Sequence, residues 1–530
     1  MSWTPGTPAP APAPSTMHSQ KMTPAEEPLL SSTSDDNQLR FHTSHQQQLQ
    51  HQRDEESLDE TQSLVQEIWL ENKKIWQIAG PSSFARVAMF SLTVITQSFA
   101  GHLGNRDLAA ISIVTTVLIS ITFGFLLGMA SALETLCGKA YGAKQYRMLG
   151  IYLQRSWVVL SISSIVLLPL FLFATPIIKF TGQSEAVSEL TGEVALWLIP
   201  MHLSFPFQFT LMRFLQCQLK TGMIAWLSGG VLVVHVLLSW IFVGRMRVGI
   251  TGAAVILDLS WWLSVVGLFS YSVFGGCPHS WTGFSKQAFH GLWEFFKLSF
   301  ASGVMLSLEN FFYRVLIIVS GNMEFAEVAV DALSICITMY AWESMIPLGF
   351  FAATGVRVAY ELGAESNRGA KFAAKVSLLN AIALGVLFSL LVMIVPDKLA
   401  MIFTSSSSVT KMVHELSPFL AITILVNGIQ SILSGVAVGY GWQALVAFVN
   451  VGSYYIVGMP LGIVLGWCLK FGIKGIWAGM IIGTIVQTFI LVIITIRFQG
   501  ENEAQHDSIQ VKIRRASNYL NCKFICQIMD

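Results

Sequence analysis

Polar residues dominate positions 1–56: proline and alanine alternate at the start, and a Gln/His-rich run follows at Gln46–Gln52. So few core-forming side chains cannot offset the entropy of ordering, which predicts a disordered cytosolic tail over 1–56. Over 57–80 the residues Leu64, Ile68, Trp69, Ile75 and Trp76 alternate with acids and amides. That pattern predicts an amphipathic helix lying in the membrane interface. Beyond Pro81 the apolar runs reach about 20 residues each, long enough to cross a bilayer as helices. Twelve are predicted, near 82–100, 108–137, 152–178, 192–214, 223–244, 250–274, 293–320, 328–356, 373–402, 412–435, 443–467 and 473–497. The loops carrying Lys139, Lys144 and Arg147, and Arg357, Arg368, Lys371 and Lys375, are richer in basic residues than those between them. The positive-inside rule puts these basic loops and both chain ends in the cytosol.

A repeat runs through the spans at a separation of 220 to 223 residues. Gly101 pairs with Gly321, Ile111-Ser-Ile113 with Leu333-Ser-Ile335, Gly128 with Gly349, and Gly142-Ala143 with Gly363-Ala364. Gln208 then pairs with Gln430, and Gly249-Ile-Thr-Gly252 with Gly472-Ile-Lys-Gly475. A separation of six spans preserves orientation. The prediction is an all-α polytopic membrane protein of two parallel six-helix bundles, related by a pseudo-two-fold axis along the membrane normal. The bundles occupy 81–275 and 293–498, joined by a cytosolic loop at 276–292 and followed by a cytosolic tail at 499–530.

Composition agrees with the pattern. Of 530 residues 53% are hydrophobic and only 12% charged, about half the charge of a soluble domain. Lys and Arg number 32 against 31 acids, which predicts no nucleic acid or other polyanion as partner; the expected partners are the lipid bilayer and a small organic solute. Seven scattered cysteines form no disulfide framework, and only Cys522 and Cys526 are close neighbours. The Glu26-Glu-Pro-Leu-Leu30 stretch is one residue short of an acidic di-leucine sorting signal. With the absence of glycosylation sequons, it favours the vacuolar membrane over the plasma membrane.

Four stretches are more specific. They are Gln97-Ser-Phe-Ala-Gly-His-Leu-Gly104 with Leu108-Ala-Ala-Ile-Ser112, Leu127-Gly-Met-Ala-Ser-Ala-Leu-Glu-Thr-Leu-Cys-Gly-Lys-Ala-Tyr-Gly-Ala143, Val356-Arg-Val-Ala-Tyr-Glu-Leu-Gly-Ala364 and Leu433-Ser-Gly-Val-Ala-Val-Gly-Tyr-Gly-Trp-Gln443. Together they resemble the signatures of the multidrug and toxic compound extrusion family in its plant, detoxification-type branch. Ala359-Tyr360 departs from the common Ser-Asn of that branch. The resemblance implies a cation-coupled antiporter, driven by protons, that expels xenobiotics or secondary metabolites from the cytosol. It implies a gradient as the energy source, and so no cofactor and no metal.

Proton coupling requires an ionisable group inside the membrane. Glu309, in Ser307-Leu-Glu-Asn-Phe-Phe312 of the seventh span, is the first candidate, and its position matches the family's seventh-helix glutamate. Glu343, four residues before Pro347, is second, and Asp258 beside Trp261 and Trp262 third. Where some plant relatives place an aspartate in the tenth span, this chain has Asn427, an amide that cannot titrate. Asn427, Gln430, Gln97 and Gln208 are candidate substrate-binding amides, with interhelical hydrogen bonding as the alternative. Phe312 and Tyr340, with Phe311, Tyr313 and Tyr454, are aromatic candidates for flat or cationic solutes. Glu134 with Lys139, and Arg357 with Glu361, read as structural pairs. Arg314 is expected to snorkel, and His102 to be structural. A major-facilitator carrier is the rival reading, but its acidic-basic loop motif belongs after the second span and Gly101-His-Leu-Gly-Asn-Arg-Asp107 follows the first. A polytopic enzyme needs a clustered His/Asp motif, and the sequence holds none.

Overall fold

The computed structural model describes residues 33–320, 326–404 and 406–497. Gly321, the Glu26–Leu30 stretch, Cys522 and Cys526 lie outside the described residues, as do the side chains of Tyr313 and Arg314. Among the described residues the regular elements are helices. In chain order these are α1 (Thr33–Leu103), α2 (Asn105–Gly142), α3 (Tyr146–Leu172), α4 (Glu185–Trp197 and Ile199–Cys217), α5 (Thr221–Arg245) and α6 (Gly249–Gly276). The second set is α7 (Leu292–Ser320), α8 (Ala326–Gly363), α9 (Asn367–Ile394), α10 (Ser407–Tyr440), α11 (Gln443–Cys468) and α12 (Gly472–Arg497). Ten of the described helices are long and apolar enough to span a membrane, or 11 if the two pieces of α4 count as one. The chain is an integral, multi-pass membrane protein.

Two expectations at the amino end need correcting. Helix α1 already runs from Thr33, inside the stretch expected to be disordered. From Thr33 to Ala79 the chain has no glycine or proline and is rich in Gln, Glu and Leu, all good helix formers. Nor does the helix stop at Pro81. Proline removes the N–H that would bond the Gln77 carbonyl one turn earlier, and Thr221 on α5 donates its hydroxyl to that carbonyl at 2.5 Å. Residues 57–80, expected as a separate interfacial helix, are therefore part of α1, continuous with the residues beyond Pro81. Ile75, Ile78 and Ala79 are fully buried, whereas Trp69 and Leu70 remain exposed.

The fourth span is not one straight helix over 192–214. It bends by 45° between Trp197 and Ile199, where Pro200 opens the second piece. The N–H groups freed by such a break need acceptors inside the membrane. Asp258 on α6 accepts the Met201 N–H at 3.0 Å, and Trp262 Nε1 donates to the Pro200 carbonyl at 2.9 Å.

The repeat becomes visible in how the bundles meet. On α2, a Cβ at Gly128 would lie 2.6 Å from the Ser302 carbonyl of α7; on α8, a Cβ at Gly349 would lie 2.0 Å from Ser83 Oγ of α1. Lower on the same helices, Gly142 packs on the Tyr360 carbonyl and Gly363 on the Lys139 carbonyl, each with 2.0 Å for an absent Cβ. Symmetry-related helices thus use repeat-related glycines to bring backbones together, as small residues do between membrane helices. Hydrogen bonds joining the bundles cluster on the same basic face: Thr135 Oγ1 to the Val438 carbonyl at 2.5 Å, Lys139 Nζ to the Tyr440 carbonyl at 3.0 Å, and Gln443 Nε2 to Thr135 Oγ1 at 2.9 Å. On α1, Trp76 donates to Asn380 at 2.9 Å and Glu71 takes both Nε and Nη2 of Arg357 at 2.7 and 3.0 Å. Arg357 also reaches Glu361 at 2.5 Å.

Candidate functional site

Glu309 stands on α7 where the seam between the bundles ends. The last close approach of α2 to α7 is at Gly124, where a Cβ would lie 3.0 Å from Asn310 Nδ2. Beyond it on α7, Phe311 is 39% exposed. Gln430 on α10 donates its Nε2 to Glu309 Oε2 at 3.3 Å and to Ser434 Oγ at 3.0 Å. Gln430 is fully buried, and its Oε1 has no hydrogen-bond partner among the described residues. The structure thus joins two of the expected residues, an acid and an amide, across two helices of the second bundle.

The neighbouring turn of α11 holds α7 in place. Tyr455 donates its hydroxyl to the Leu308 carbonyl at 2.9 Å, and Asn450 Nδ2 donates to the Met305 carbonyl at 3.0 Å. Gln487 on α12 donates to Asn450 at 2.7 Å and receives the Tyr454 hydroxyl at 2.5 Å. A π-helical stretch, Val451–Gly458, carries both tyrosines, and widened turns of this kind recur at functional sites. Phe312 stacks on Tyr454, with ring centroids 4.3 Å apart, and is 1% exposed. Its ring is committed to packing, whereas the preceding Phe311 is exposed. Tyr340 packs partly buried in the same cluster, and Asn427 is buried on α10.

The other expected acids lie apart from this pair. Glu343 sits on α8 next to Trp342, whose ring meets Phe90 of α1 edge-on at 5.4 Å. Its Oε2 is buried and has no partner among the described residues. Asp258 belongs to the first bundle and caps the second piece of α4. Asn in its place keeps the accepting oxygen, whereas Leu leaves a buried N–H unsatisfied, at a cost of about 1–3 kcal/mol. Asp258→Asn is therefore expected to keep the wild-type melting temperature, while Asp258→Leu lowers it; equal losses in the two variants would mean that the cap needs the charge of Asp258 and not only its oxygen. Gln97 donates to Thr115 Oγ1 at 2.8 Å within the first bundle. Gln208 is fully buried, and neither end of its amide has a hydrogen-bond partner among the described residues.

One cluster escaped the sequence reading. Glu134 on α2 pairs not with Lys139 but with Arg213 of α4, at 2.8 Å, both side chains essentially inaccessible to solvent. Arg213 also donates to Gln216 Oε1 at 3.2 Å, Gln216 donates to Ser82 Oγ of α1 at 3.0 Å, and the Arg213 guanidinium lies 6.0 Å from the Phe351 ring of α8. Arg86 of α1 lies within electrostatic reach of both. The repeat held the signal. At the same separation, Glu134 corresponds to Gly355 and Arg213 to Gly435. A Cβ on Gly355 would fall 2.1 Å from Glu134 Oε1 and 3.4 Å from the Gly435 carbonyl. The first bundle fills this level with an ion pair and the second leaves room for it.

Comparison with known proteins places this architecture. The MatE family model matches residues 81–241 and 301–464. Protein DETOXIFICATION 26 of Arabidopsis thaliana is 52% identical over 455 residues, covering 86% of this chain and 93% of that protein. Protein DETOXIFICATION 27 of the same plant is 53% identical over 454 residues, covering 86% and 93%. Among solved structures, the eukaryotic MATE transporter AtDTX14 superposes with a TM-score of 0.77 at 32% identity, covering 81% of this chain and 96% of that one. A Vibrio cholerae MATE transporter, VcmN, shares the fold with a TM-score of 0.72 at 16% identity, covering 80% and 96%. Two helix bundles closed on their basic face, with signatures over most of the membrane region and relatives matched nearly end to end, make this chain a member of the MatE family, a plant detoxification-type MATE transporter.

Proposed function

We propose that the protein is a proton-coupled antiporter that exports organic solutes, xenobiotics or secondary metabolites, from the cytosol by alternating access between its two bundles. The observation that carries this reading is Glu309, a carboxyl on α7 whose one hydrogen-bond partner among the described residues is an amide. An amide satisfies either protonation state of an acid. The carboxylate accepts from Gln430 Nε2, and the protonated acid donates to the amide oxygen, which is otherwise unpartnered. Gln430 thus holds the acid in place without fixing its charge, as a site that loads and unloads a proton requires. A permanent cationic partner would pin the carboxylate in its ionised form. The uneven seam supports alternation: the glycine contacts and ring of hydrogen bonds close the basic face, and rocking of the bundles to the other state parts it.

The acidic-leucine stretch and the names of the relatives support a vacuolar membrane and a detoxification role. The test is accumulation in reconstituted acid-inside vesicles, followed for a panel of organic cations and flavonoid glycosides with and without an uncoupler. Uncoupler-sensitive accumulation above equilibrium is the expected result. Equilibration of every solute that crosses, whatever the pH difference, would make the protein a facilitator and end the antiport reading.

A further inference from the structure

The charged cluster at the basic end of the first bundle does not balance. Arg86 is 8% exposed, Arg213 2% and Glu134 fully buried. Two guanidiniums therefore face one carboxylate, whose Oε2 lies 2.8 Å from Arg213 and whose Oε1 has no hydrogen-bond partner among the described residues, so one positive charge is left over. Arg86 makes no ion pair or hydrogen bond among the described residues, and its Nε is buried without a partner. A buried charge left in this state is costly, and proteins pair such groups or bring in a counter-ion. The neighbours that could have served do not. Ser82, one turn below Arg86, is already engaged by Gln216, and Ser83 donates to the Ile346 carbonyl at 3.3 Å. In the repeat, Arg86 corresponds to Ser307 of the second bundle, so the charge is a property of the first bundle alone.

We propose that Arg86 is the anchor of an anion site on the floor between the bundles, which takes a carboxylate or an ion of similar charge and size. A planar guanidinium matches a carboxylate through two parallel N–H groups. Arg213 adds a second positive charge, while Glu134, engaged by Arg213, occupies one side and limits the site to a single negative charge. The site lies where α1, α2, α4 and α8 converge, on the face that must part for a cytosolic solute to enter. As a substrate site it selects organic anions, in contrast to the aromatic surroundings of Glu309. As a site for a free inorganic ion it holds the first bundle closed. The side from which the anion arrives rests on the carrier reading, but the site itself does not.

Binding, rather than transport, tests it. The purified full-length protein in nanodiscs is titrated at constant ionic strength with benzoate, with its neutral isostere benzamide and with chloride, and thermal stability is read at each concentration. A ligand that binds the folded state raises the melting temperature by an amount that grows with the logarithm of one plus its concentration over Kd. Benzoate is expected to raise it in the wild type. The response should disappear in Arg86→Gln and Arg86→Met, shifting the apparent Kd at least tenfold, and survive in Arg86→Lys within a few-fold. Both neutral variants are expected to be at least as stable as the wild type in low-anion buffer, since they remove an unpaired buried charge. Chloride acting as well as benzoate identifies a free-ion site; benzoate acting alone identifies a substrate carboxylate site. Equal responses to benzoate and benzamide, or a benzoate response unchanged in Arg86→Met, overturn the proposal. Because no pH gradient is involved, either failure leaves the antiport reading where it stands, and a failure of proton coupling leaves this site untouched.

Discussion

Glu309→Gln is expected to abolish pH-driven accumulation while leaving the protein folded and able to bind its solute. Glutamine keeps the shape and still gives Gln430 a carbonyl oxygen to donate to, so the 3.3 Å contact between α7 and α10 survives. What it cannot do is exchange a proton. Each pH unit across the membrane is worth about 1.4 kcal/mol per proton, so two units support roughly a hundredfold accumulation at one proton per solute. In the variant that ratio should fall to that of an uncoupled carrier, near unity, with counterflow of pre-loaded solute preserved. Glu309→Asp should be intermediate: it titrates, but its shorter side chain draws the carboxyl away from Gln430. Gln430→Leu should shift the pH dependence of transport without removing it, because the acid remains and only its dual-state partner is gone. Full accumulation in Glu309→Gln would remove Glu309 from the coupling step and direct attention to Glu343, whose Oε2 is buried without a partner among the described residues.

How much of this was legible in the sequence depends on which force sets each feature. The spans were readable because lipid leaves the backbone no other partner than itself, so long apolar runs have to be helices. The repeat was readable because backbone contacts at Gly142 and Gly363 tolerate no side chain. Features that depend on a distant partner were not. Pro81 reads as a helix boundary until Thr221 is found donating to the carbonyl it leaves free. The bend in α4 could have been guessed from Pro200, but not that Asp258 caps it. Phe311 and Phe312 are equivalent in sequence; only the position of Tyr454 decides which one is buried. Glu134 and Lys139 looked like a local pair, yet five residues along a helix put two side chains about 140° apart. Each therefore turns to a different neighbour, Glu134 to Arg213 and Lys139 to the Tyr440 carbonyl. The residues of the Glu309 site could be named one by one, but the link between Glu309 and Gln430 needed the fold.

The ion pair of Glu134 and Arg213 should be the most sensitive element of the fold, with an unequal response to its two halves. Breaking a buried pair by removing one partner typically costs about 3–5 kcal/mol, because the other charge is left uncompensated. Glu134→Gln leaves two guanidiniums, Arg213 and Arg86, facing each other without a counter-charge. Arg213→Met leaves a carboxylate that still has Arg86 within reach. The glutamate substitution is therefore expected to lower the melting temperature more than the arginine substitution does. Replacing all three charges, Glu134→Leu with Arg213→Met and Arg86→Met, should recover much of the loss, as apolar replacements of buried pairs do, and the repeat-related Gly355, Gly435 and Ser307 show that this level of the fold is built without charge in the second bundle. Thermal melting of the four proteins in nanodiscs gives the order directly. Equal losses in the two single variants would mean that Arg86 does not act on Glu134, and a triple variant less stable than either would mean that the pair itself, rather than freedom from an unpaired charge, holds α2 against α4.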